Sequence, residues 1–551
     1  MRFRNWSYSA LVCTLAVVPV NPQSKTASTT PHLERRGNAT QLIVDGKPFL
    51  ALAGELHNNS ATSLEYMKPV WPRLTAMHLN TVLAAVSWAM LEPAEGKFDY
   101  TLVDGLIREA RVYNLHLVLL WFGSWKNTWS SYAPDWVKRD FERFPRVNRR
   151  NGSGTERLTP FSQANCDSDA RAFAALMRRV REVDGEAHKV IMIQVENEVG
   201  VIPDARDYSP AANAAYGQPV PRTLMEYLQN HKDTLYPELR ARWQAAGLKA
   251  SGNWADVFGS DLLTDDLFMA WHYAHYIGKV AEAGKAEYSL PMYVNAALIR
   301  PSYAPGQYNS GGPLAHSIDI WRAGGPQLDF LAPDIYFEFK NWSARYDRSD
   351  NPLFIPEATG EAEGAANVFY AVGQHRALGF SPFGIDGMRD SGSGDAQLAR
   401  SYDILSQLAP LILDHQPEGR VAGVLLEELT PSQKLRLGGY TLNVSRSEGR
   451  RTVHGAVSAQ ASAEPAPHGI FIAAGPDEFY LAGGGLTITF SPDTPGPPIV
   501  GLATVEEGRF VDGRWVRGRT LAGDDTGQGN SISLDAARGS GILRLTLYRY
   551  R

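Results

Sequence analysis

The chain has 551 residues, and its formal net charge is -5. Because this length exceeds what one hydrophobic core usually supports, we expect a main domain and an appended one. The net charge is small for the size, and Lys and Arg are spread along the chain rather than clustered. This distribution excludes nucleic acid as an expected partner.

The N-terminal residues have the pattern of an export signal. Arg2 and Arg4 precede the apolar stretch Ala10 to Val20, which is too short to span a bilayer comfortably and is followed by polar residues. We therefore expect residues 1-25 to be a signal peptide or an N-terminal anchor, with no transmembrane span beyond it. The protein should be exported, either periplasmic or secreted. Removal of the signal would leave Cys166 without a partner and rule out an intrachain disulfide.

Apolar runs that end in polar residues alternate with helix-like segments over residues 35-415. Eight such runs are strand candidates, which predicts an α/β fold, a (β/α)8 TIM barrel, with the site built from the loops after the strands. The candidates are Phe49-Gly54, Thr81-Val86, Leu115-Trp121, Val190-Glu198, Pro291-Asn295, Leu328-Tyr336, Pro352-Glu357 and Gly379-Gly384.

The pattern changes after about residue 420. Helical periodicity fades, and short strand-like pieces lie between Gly, Pro and Asp, including Gly469-Ala473, Gly485-Phe490 and Gly541-Tyr548. Residues 420-551 are therefore predicted to form a C-terminal β-sandwich domain. The helix-like stretch Asp403-Pro417 is expected to complete the outer ring of the barrel.

Two glutamates are the candidate catalytic residues because each ends an apolar run. Glu198 ends the fourth predicted strand and Glu357 ends the seventh, so both should lie at the C-terminal face of the barrel. Two carboxylates brought together there could divide the acid and nucleophile roles of glycoside hydrolysis. Either glutamate alone could instead be a surface residue or a carboxylate at a helix N-terminus.

Several polar and aromatic residues near the predicted strand ends are candidate substrate contacts. Each has an alternative interpretation: Glu92 could form a structural ion pair and Asn127 could be a turn residue. The tryptophans at positions 88, 121, 125 and 129 could form a stacking platform or belong to the core. The candidates are Glu92, Asn127, Asn197, Asn295, Tyr336, Trp88 and Trp125.

No metal or cofactor is expected. His57, His272 and His275 could suggest a metal site, and the last two are three residues apart on a helix-like segment. A third ligand is not evident, so packing histidines are the favoured interpretation. Nothing resembles a zinc motif or a phosphate-binding glycine loop.

Two motifs resemble those of the family 35 glycoside hydrolases, the β-galactosidase family. Gln194-Val-Glu-Asn-Glu198-Val-Gly resembles the acid/base motif of that family, and Trp88-Ala-Met-Leu-Glu92-Pro resembles its segment after the second strand. The resemblance covers roughly residues 40-400 and is looser outside these motifs. It implies that Glu198 is the acid/base and Glu357 the nucleophile of a retaining mechanism. The wider clan of such barrels also has an Asn directly before the acid/base, which is Asn197 here. It has a Tyr near the nucleophile, for which Tyr336 is the candidate.

The resemblance also implies a substrate class. The layout is similar to that of bacterial exported members proposed to remove terminal galactose from plant-wall oligosaccharides such as xyloglucan fragments. The chain departs from the family at His57-Asn58-Asn59 and Ser124-Trp125-Lys126-Asn127, so a different recognition of the sugar stays open. A barrel glycosidase with another specificity (β-glucosidase, mannanase or arabinosidase) and an inactive carbohydrate-binding barrel remain alternatives. The oligomeric state, the linkage and the aglycone stay open.

Overall fold

The computed structural model describes Met1 and residues 30-387, 393-447, 465-534 and 541-551. The predicted export signal, residues 1-25, lies outside the described residues apart from Met1, and so does Cys13. Among the helices of the described ranges, none combines the length and the apolar character needed to cross a bilayer.

Eight parallel strands form the barrel that the sequence predicts. The strands are β1 Ala51-Glu55, β2 Thr81-Ser87, β3 His116-Lys126, β4 Val190-Asn197, β5 Met292-Ala297, β6 Phe330-Asp334, β7 Ile355-Ala358 and β8 Gly379-Pro382. Their order around the sheet is β6-β5-β4-β3-β2-β1-β8-β7. The parallel bridge between Ile335, directly after β6, and Ala358 joins β6 to β7, supported by the Ile335 N-H, which donates to the Glu357 carbonyl (2.8 Å).

The strands form where the sequence has apolar runs because both faces of each strand are covered. Alternate side chains point inward, where Leu83, Leu120, Tyr293 and Phe330 contribute to an apolar interior. The N-terminal sheet of His32-Arg36, Ala39-Val44 and Lys47-Phe49 adds Leu42 and Val44 to the same cluster. The barrel interior is therefore a packed core below the strand ends.

Helices cover the outside of the barrel and fill the long connection between β4 and β5, which holds five of them from Pro210 to Glu287. The α-helices of the described residues are Leu64-Met67, Val70-Ala76, Trp88-Leu91, Thr101-Val112, Asp135-Arg139, Gln163-Asp184, Pro210-Tyr216, Arg222-Asn230, Pro237-Ala245, Trp254-Phe258, Leu262-Glu287, Ile318-Gly324, Phe339-Tyr346, Glu361-His375 and Ser393-His415.

Two antiparallel sheets follow the barrel. An apolar cluster that includes Val424, Leu442, Phe479 and Leu545 lies between them, as in a β-sandwich. The six-stranded sheet has the order Val421-Leu425, His468-Ala473, Glu478-Gly484, Ile542-Tyr550, Ile499-Val511, Arg514-Thr520. The four-stranded sheet has the order Ser432-Leu437, Tyr440-Arg446, Leu486-Pro492, Ile532-Leu534.

The six-stranded sheet packs directly on the barrel helix Glu361-His375. Ile470, Ile472 and Ile542 of the sheet belong to the same apolar cluster as the barrel helices. Backbones come close at Gly373 of the helix and Gly423 of the sheet, where a Cβ on Gly373 would lie 2.7 Å from the Gly423 Cα. Glycine at both positions allows this approach.

Candidate active site

The fold brings Glu198 and Glu357 together at the C-terminal face of the barrel. Glu198 directly follows β4 and Glu357 lies in β7. Carboxylate oxygens of Glu198, Glu357 and Asp334 all lie within 4.8 Å of one another. Glu198 is 7% exposed and Glu357 5%, so each side chain is largely shielded from bulk water but still accessible.

Neutral donors surround the Glu357 carboxylate. The Tyr336 hydroxyl donates to Oε2 (2.8 Å), and the Asn197 and Asn295 amides donate to Oε1 (3.3 Å and 3.4 Å). Hydrogen bonds donated to a carboxylate favour its charged form. The arrangement therefore suits an anionic Glu357 whose direction is fixed from both sides.

Glu198 is held through its backbone and through side-chain hydrogen bonds with Asn127 and Asp334. Its N-H donates to the Asn295 amide oxygen (3.0 Å), and its carbonyl accepts from the Asn309 amide (2.8 Å). The Asn127 amide donates to its Oε2. Burial, followed by the nearby charge of Glu357, raises the pKa of Glu198 to about 7. The charge of Lys126 and the hydrogen bonds with Asp334 and Asn127 act in the opposite direction.

An irregular backbone at the end of β4 separates two glutamates that a regular strand would place on one face. Glu196 and Glu198 have φ values of 63° and 44°, both in the left-handed region. Glu196 turns away from the site and accepts from the backbone N-H groups of Ser124 (3.0 Å) and Trp125 (2.6 Å). Only Glu198 reaches Glu357, and such strain is common at functional sites.

Three charged residues of the site were missed by the sequence analysis, namely Glu55, Lys126 and Asp334. Glu55 is fully buried, and neither of its carboxylate oxygens has a hydrogen-bond partner among the described residues. Burial, reinforced by the charge of Glu357, raises the pKa of Glu55 and of Asp334 well above their usual values. The three residues end β1, β3 and β6, so inspection of every predicted strand end would have found them.

Two candidate substrate contacts near β2 are structural instead. Glu92 is fully buried and accepts from the Trp88 indole (2.9 Å), the Gly96 N-H (2.7 Å) and the Arg171 guanidinium (3.1 Å). Trp88 is also fully buried and packs edge-on against Trp136. Contrary to the sequence prediction, neither side chain has a surface that a sugar could reach, because both are fully buried. Their hydrogen bond instead fixes the segment after β2.

The tryptophans after β3 differ in exposure. Trp125, predicted to contact the substrate, is fully buried, and its indole N-H donates to the Leu158 carbonyl (3.0 Å). Its ring packs against Tyr273 and Tyr276, so the prediction of a sugar contact is wrong. Trp129 is instead 47% exposed.

The histidines considered as metal ligands make other contacts. His57 Nδ1 lies 3.0 Å from Asp386 Oδ1. His272 packs between Phe161 and Phe268, and burial lowers its pKa to about 3. Within the described residues, the group able to hold a cation is that of Glu198, Asp334 and Glu357, and the same proximity is what two-carboxylate catalysis needs.

The thiol of Cys166 is not an activated nucleophile. It is buried, and burial raises its pKa to about 12. A thiol of this kind stays protonated at neutral pH. The site chemistry therefore rests on the carboxylates.

Two family models match parts of the chain. Residues 65-248 match the glycoside hydrolase family 42 model, described as Beta-galactosidase. This range includes β2, β3, β4 and Glu198 but ends before Glu357. Residues 398-533 match a model described as Domain of unknown function (DUF5597), which covers much of the C-terminal sheets.

Individual relatives are distant. The Beta-galactosidase of Xanthomonas manihotis is 29% identical over 181 residues, which are 32% of this chain and 28% of that protein. The chain therefore matches little more than a quarter of this relative. The solved β-galactosidase of Bacillus circulans sp. alkalophilus has a TM-score of 0.45 at 15% identity, over 66% of this chain and 57% of that one. The β-amylase catalytic domain of Paenibacillus polymyxa has a TM-score of 0.46 at 12% identity, over 65% and 98%.

Residues 65-248 are thus similar to the β-galactosidase-type glycoside hydrolases, in a part of the chain that contains Glu198. The assignment to family 35 that the motifs suggested is not confirmed, since the matching model is that of family 42.

Proposed function

We propose that the protein is an exported, retaining exo-β-galactosidase that removes terminal β-galactosyl residues from plant-wall oligosaccharides such as xyloglucan fragments. The observation that carries the proposal is the separation of at most 4.8 Å between oxygens of Glu198 and Glu357. Retaining glycosidases have carboxyl groups about 5-5.5 Å apart, and inverting ones about 6.5-9.5 Å. The β-galactoside specificity rests on the family match of residues 65-248.

The charges of the site support a two-step mechanism. The Glu357 carboxylate, oriented by Tyr336 and two amides, attacks the anomeric carbon while Glu198 donates its proton to the leaving oxygen. Formation of the glycosyl-enzyme removes the charge of Glu357, which is one cause of the raised pKa of Glu198. Glu198 then holds its proton less tightly and can take one from the attacking water.

Action on terminal residues is supported by the loops near the acid. The segment after β4 meets the segment after β5 at the Val201-Ser310 bridge, and Asn309 donates to the Glu198 carbonyl. Gly200 permits this contact, since a Cβ there would lie 2.5 Å from the Asn309 carbonyl carbon. We infer that these segments wall the pocket on one side and favour a chain end.

The assignment of the nucleophile is tested with Glu357→Gly. The variant should lose hydrolysis of an activated aryl β-galactoside, because no covalent intermediate can form. Sodium azide should restore turnover and give the α-galactosyl azide by a single displacement, identified by NMR. A folded variant that azide does not rescue would contradict the nucleophile role of Glu357.

The acid/base is tested separately with Glu198→Ala. Substrates with poor leaving groups should lose far more activity than activated aryl substrates, because only the former need a proton. Azide should here give the β-galactosyl azide by attack on the covalent intermediate. Equal losses for both substrates would count against Glu198 as the acid/base.

The sugar specificity is tested on the wild type with aryl β-galactoside and its gluco, manno and arabino analogues. Hydrolysis of only the analogues would refute the β-galactoside specificity.

A further inference from the structure

A two-residue hairpin at the end of β3 carries Asn127 and Trp129 to the site. The Lys126 N-H donates to the Trp129 carbonyl (2.8 Å), and the Trp129 N-H donates to the Lys126 carbonyl (2.9 Å). Between them, Asn127 and Thr128 have φ values of 49° and 71°. Two consecutive left-handed residues are the signature of a type I′ turn, so the hairpin has a defined geometry.

Trp129 has one face of its ring covered and is otherwise accessible. The Arg157 guanidinium carbon lies 3.9 Å from the centroid of the ring. Arg157 is only 3% exposed, and its Nε donates to the Thr128 hydroxyl (3.1 Å). Since Trp129 remains 47% exposed, the buried cation supports one face and leaves an aromatic surface open to solvent.

The hairpin is docked on the Glu198 side of the catalytic pair. The Asn127 amide donates to the Glu198 carboxylate, and the Asn127 N-H donates to the Asn197 carbonyl (3.1 Å). The Cα atoms of Asn127 and Trp129 can be at most about 7 Å apart, because two residues of chain join them. In the proposed reaction Glu198 protonates the oxygen that departs with the leaving group. The backbone of Trp129 therefore lies near the side of the site from which that group departs.

We propose that Trp129 is the stacking platform of a leaving-group subsite and binds the apolar face of a pyranose ring. The inference rests on the proposed glycosidase function and adds the subsite that contacts the second sugar. A rigid aromatic ring provides large contact area at low entropic cost. Arg157 restrains the ring in advance, so little side-chain freedom remains to be lost when a sugar stacks.

The test compares substrates that differ only in the leaving group. β-Galactosyl fluoride has no leaving-group ring, whereas a β-galactosyl disaccharide has a pyranose in the subsite. Trp129→Ala should lower kcat/KM for the disaccharide about tenfold, as expected for one lost ring contact, and leave the fluoride within about twofold. Trp129→Phe should recover part of the loss. Tyr550→Ala, which removes a ring from the C-terminal sheet, is the control and should change neither value.

Other outcomes would overturn the platform. Equal losses for the fluoride and the disaccharide would mean that Trp129 only supports the hairpin and Asn127. No loss for either substrate would mean that the ring contacts no sugar. If the wild type hydrolyses neither compound, the proposed activity fails by itself. Calorimetry of the free leaving-group sugar then decides. Affinity in the wild type that is lost in Trp129→Ala supports the platform. Affinity that the variant retains, or a wild type that does not bind the sugar, refutes it.

Discussion

At the scale of single residues, the carboxyl groups of the site differ in the hydrogen bonds that they receive. Glu357 accepts hydrogen bonds from Tyr336 and two amides, whereas Glu55 has no partner for either oxygen among the described residues. Burial without donors favours the neutral acid, and donated hydrogen bonds favour the anion. The environment of each acid thus assigns its role.

The raised pKa of Glu198 predicts the alkaline side of the activity profile. The acid must be protonated to assist departure of the leaving group, so kcat/KM for an unactivated β-galactoside should fall as the pH rises through about 7. Initial rates measured over a pH series check this expectation. A flat profile across neutral pH would contradict the assignment.

Lys126 offers a sharper test of the same pKa. Its positive charge lowers the pKa of Glu198, so Lys126→Met should raise that pKa and move the alkaline limb of kcat/KM to higher pH. Lys126→Arg keeps the charge and serves as the matched control, with its limb close to that of the wild type. If the Met and Arg variants shift alike, the charge of Lys126 does not act on Glu198.

At the scale of elements, the end of β3 and the end of β4 form one unit. Lys126 pairs with Asn197 in the parallel register, and the irregular end of β4 turns Glu196 toward Ser124 and Trp125. A second close contact between elements joins the barrel to the C-terminal sheets, where Gly373 meets Gly423. Both contacts depend on backbone approach rather than on long side chains.

The helix-sheet joint can be tested with Gly373→Ala. The added Cβ would lie 2.7 Å from the Gly423 Cα and 2.9 Å from its nitrogen, so we expect a loss of about 1-3 kcal/mol in the free energy of unfolding. Gly217→Ala is the control, because its Cβ would approach nothing nearer than 3.7 Å, and it should change stability by less than about 0.5 kcal/mol. Denaturant melts give both values. Equal effects would contradict the close-contact explanation.

At the scale of the whole molecule, the buried acids couple stability to pH. The folded-state pKa of Glu55 lies above the usual 4.5, so its contribution to stability is fully present below that value. The contribution is lost as the pH rises through the folded pKa, because the unfolded chain releases the proton more easily. Asp334 is shifted in the same direction.

Glu55→Gln should therefore weaken the pH dependence of stability. The wild type should lose melting temperature as the pH rises above the usual value of 4.5 toward the raised pKa of Glu55, and the variant should lose less because its amide does not ionise. The exposed Glu142→Gln is the control and should follow the wild type. Calorimetry over a pH series makes the measurement, and parallel curves for the wild type and Glu55→Gln would contradict the prediction.

The sequence alone determined the barrel and the meeting of the two acids. Apolar runs of strand length fixed β1 to β8, because strands covered on both faces need such runs. Parallel strands all end at one face, so Glu198 and Glu357 were bound to share it. Asn295 and Tyr336 followed from the same rule, and Asn197 from its place directly before Glu198. Hydrogen bonds join these three residues and Asn127 to the catalytic pair.

Only the tertiary structure decided which side chains turn toward the pocket. Glu92, Trp88 and Trp125 lie near strand ends, yet partners distant in sequence, such as Arg171 and Leu158, bury them. The positive φ angles at Glu196 and Glu198 override the alternation that a strand would impose. Side-chain direction at the end of a strand depends on packing between segments far apart in the chain, and a local sequence pattern does not contain that packing.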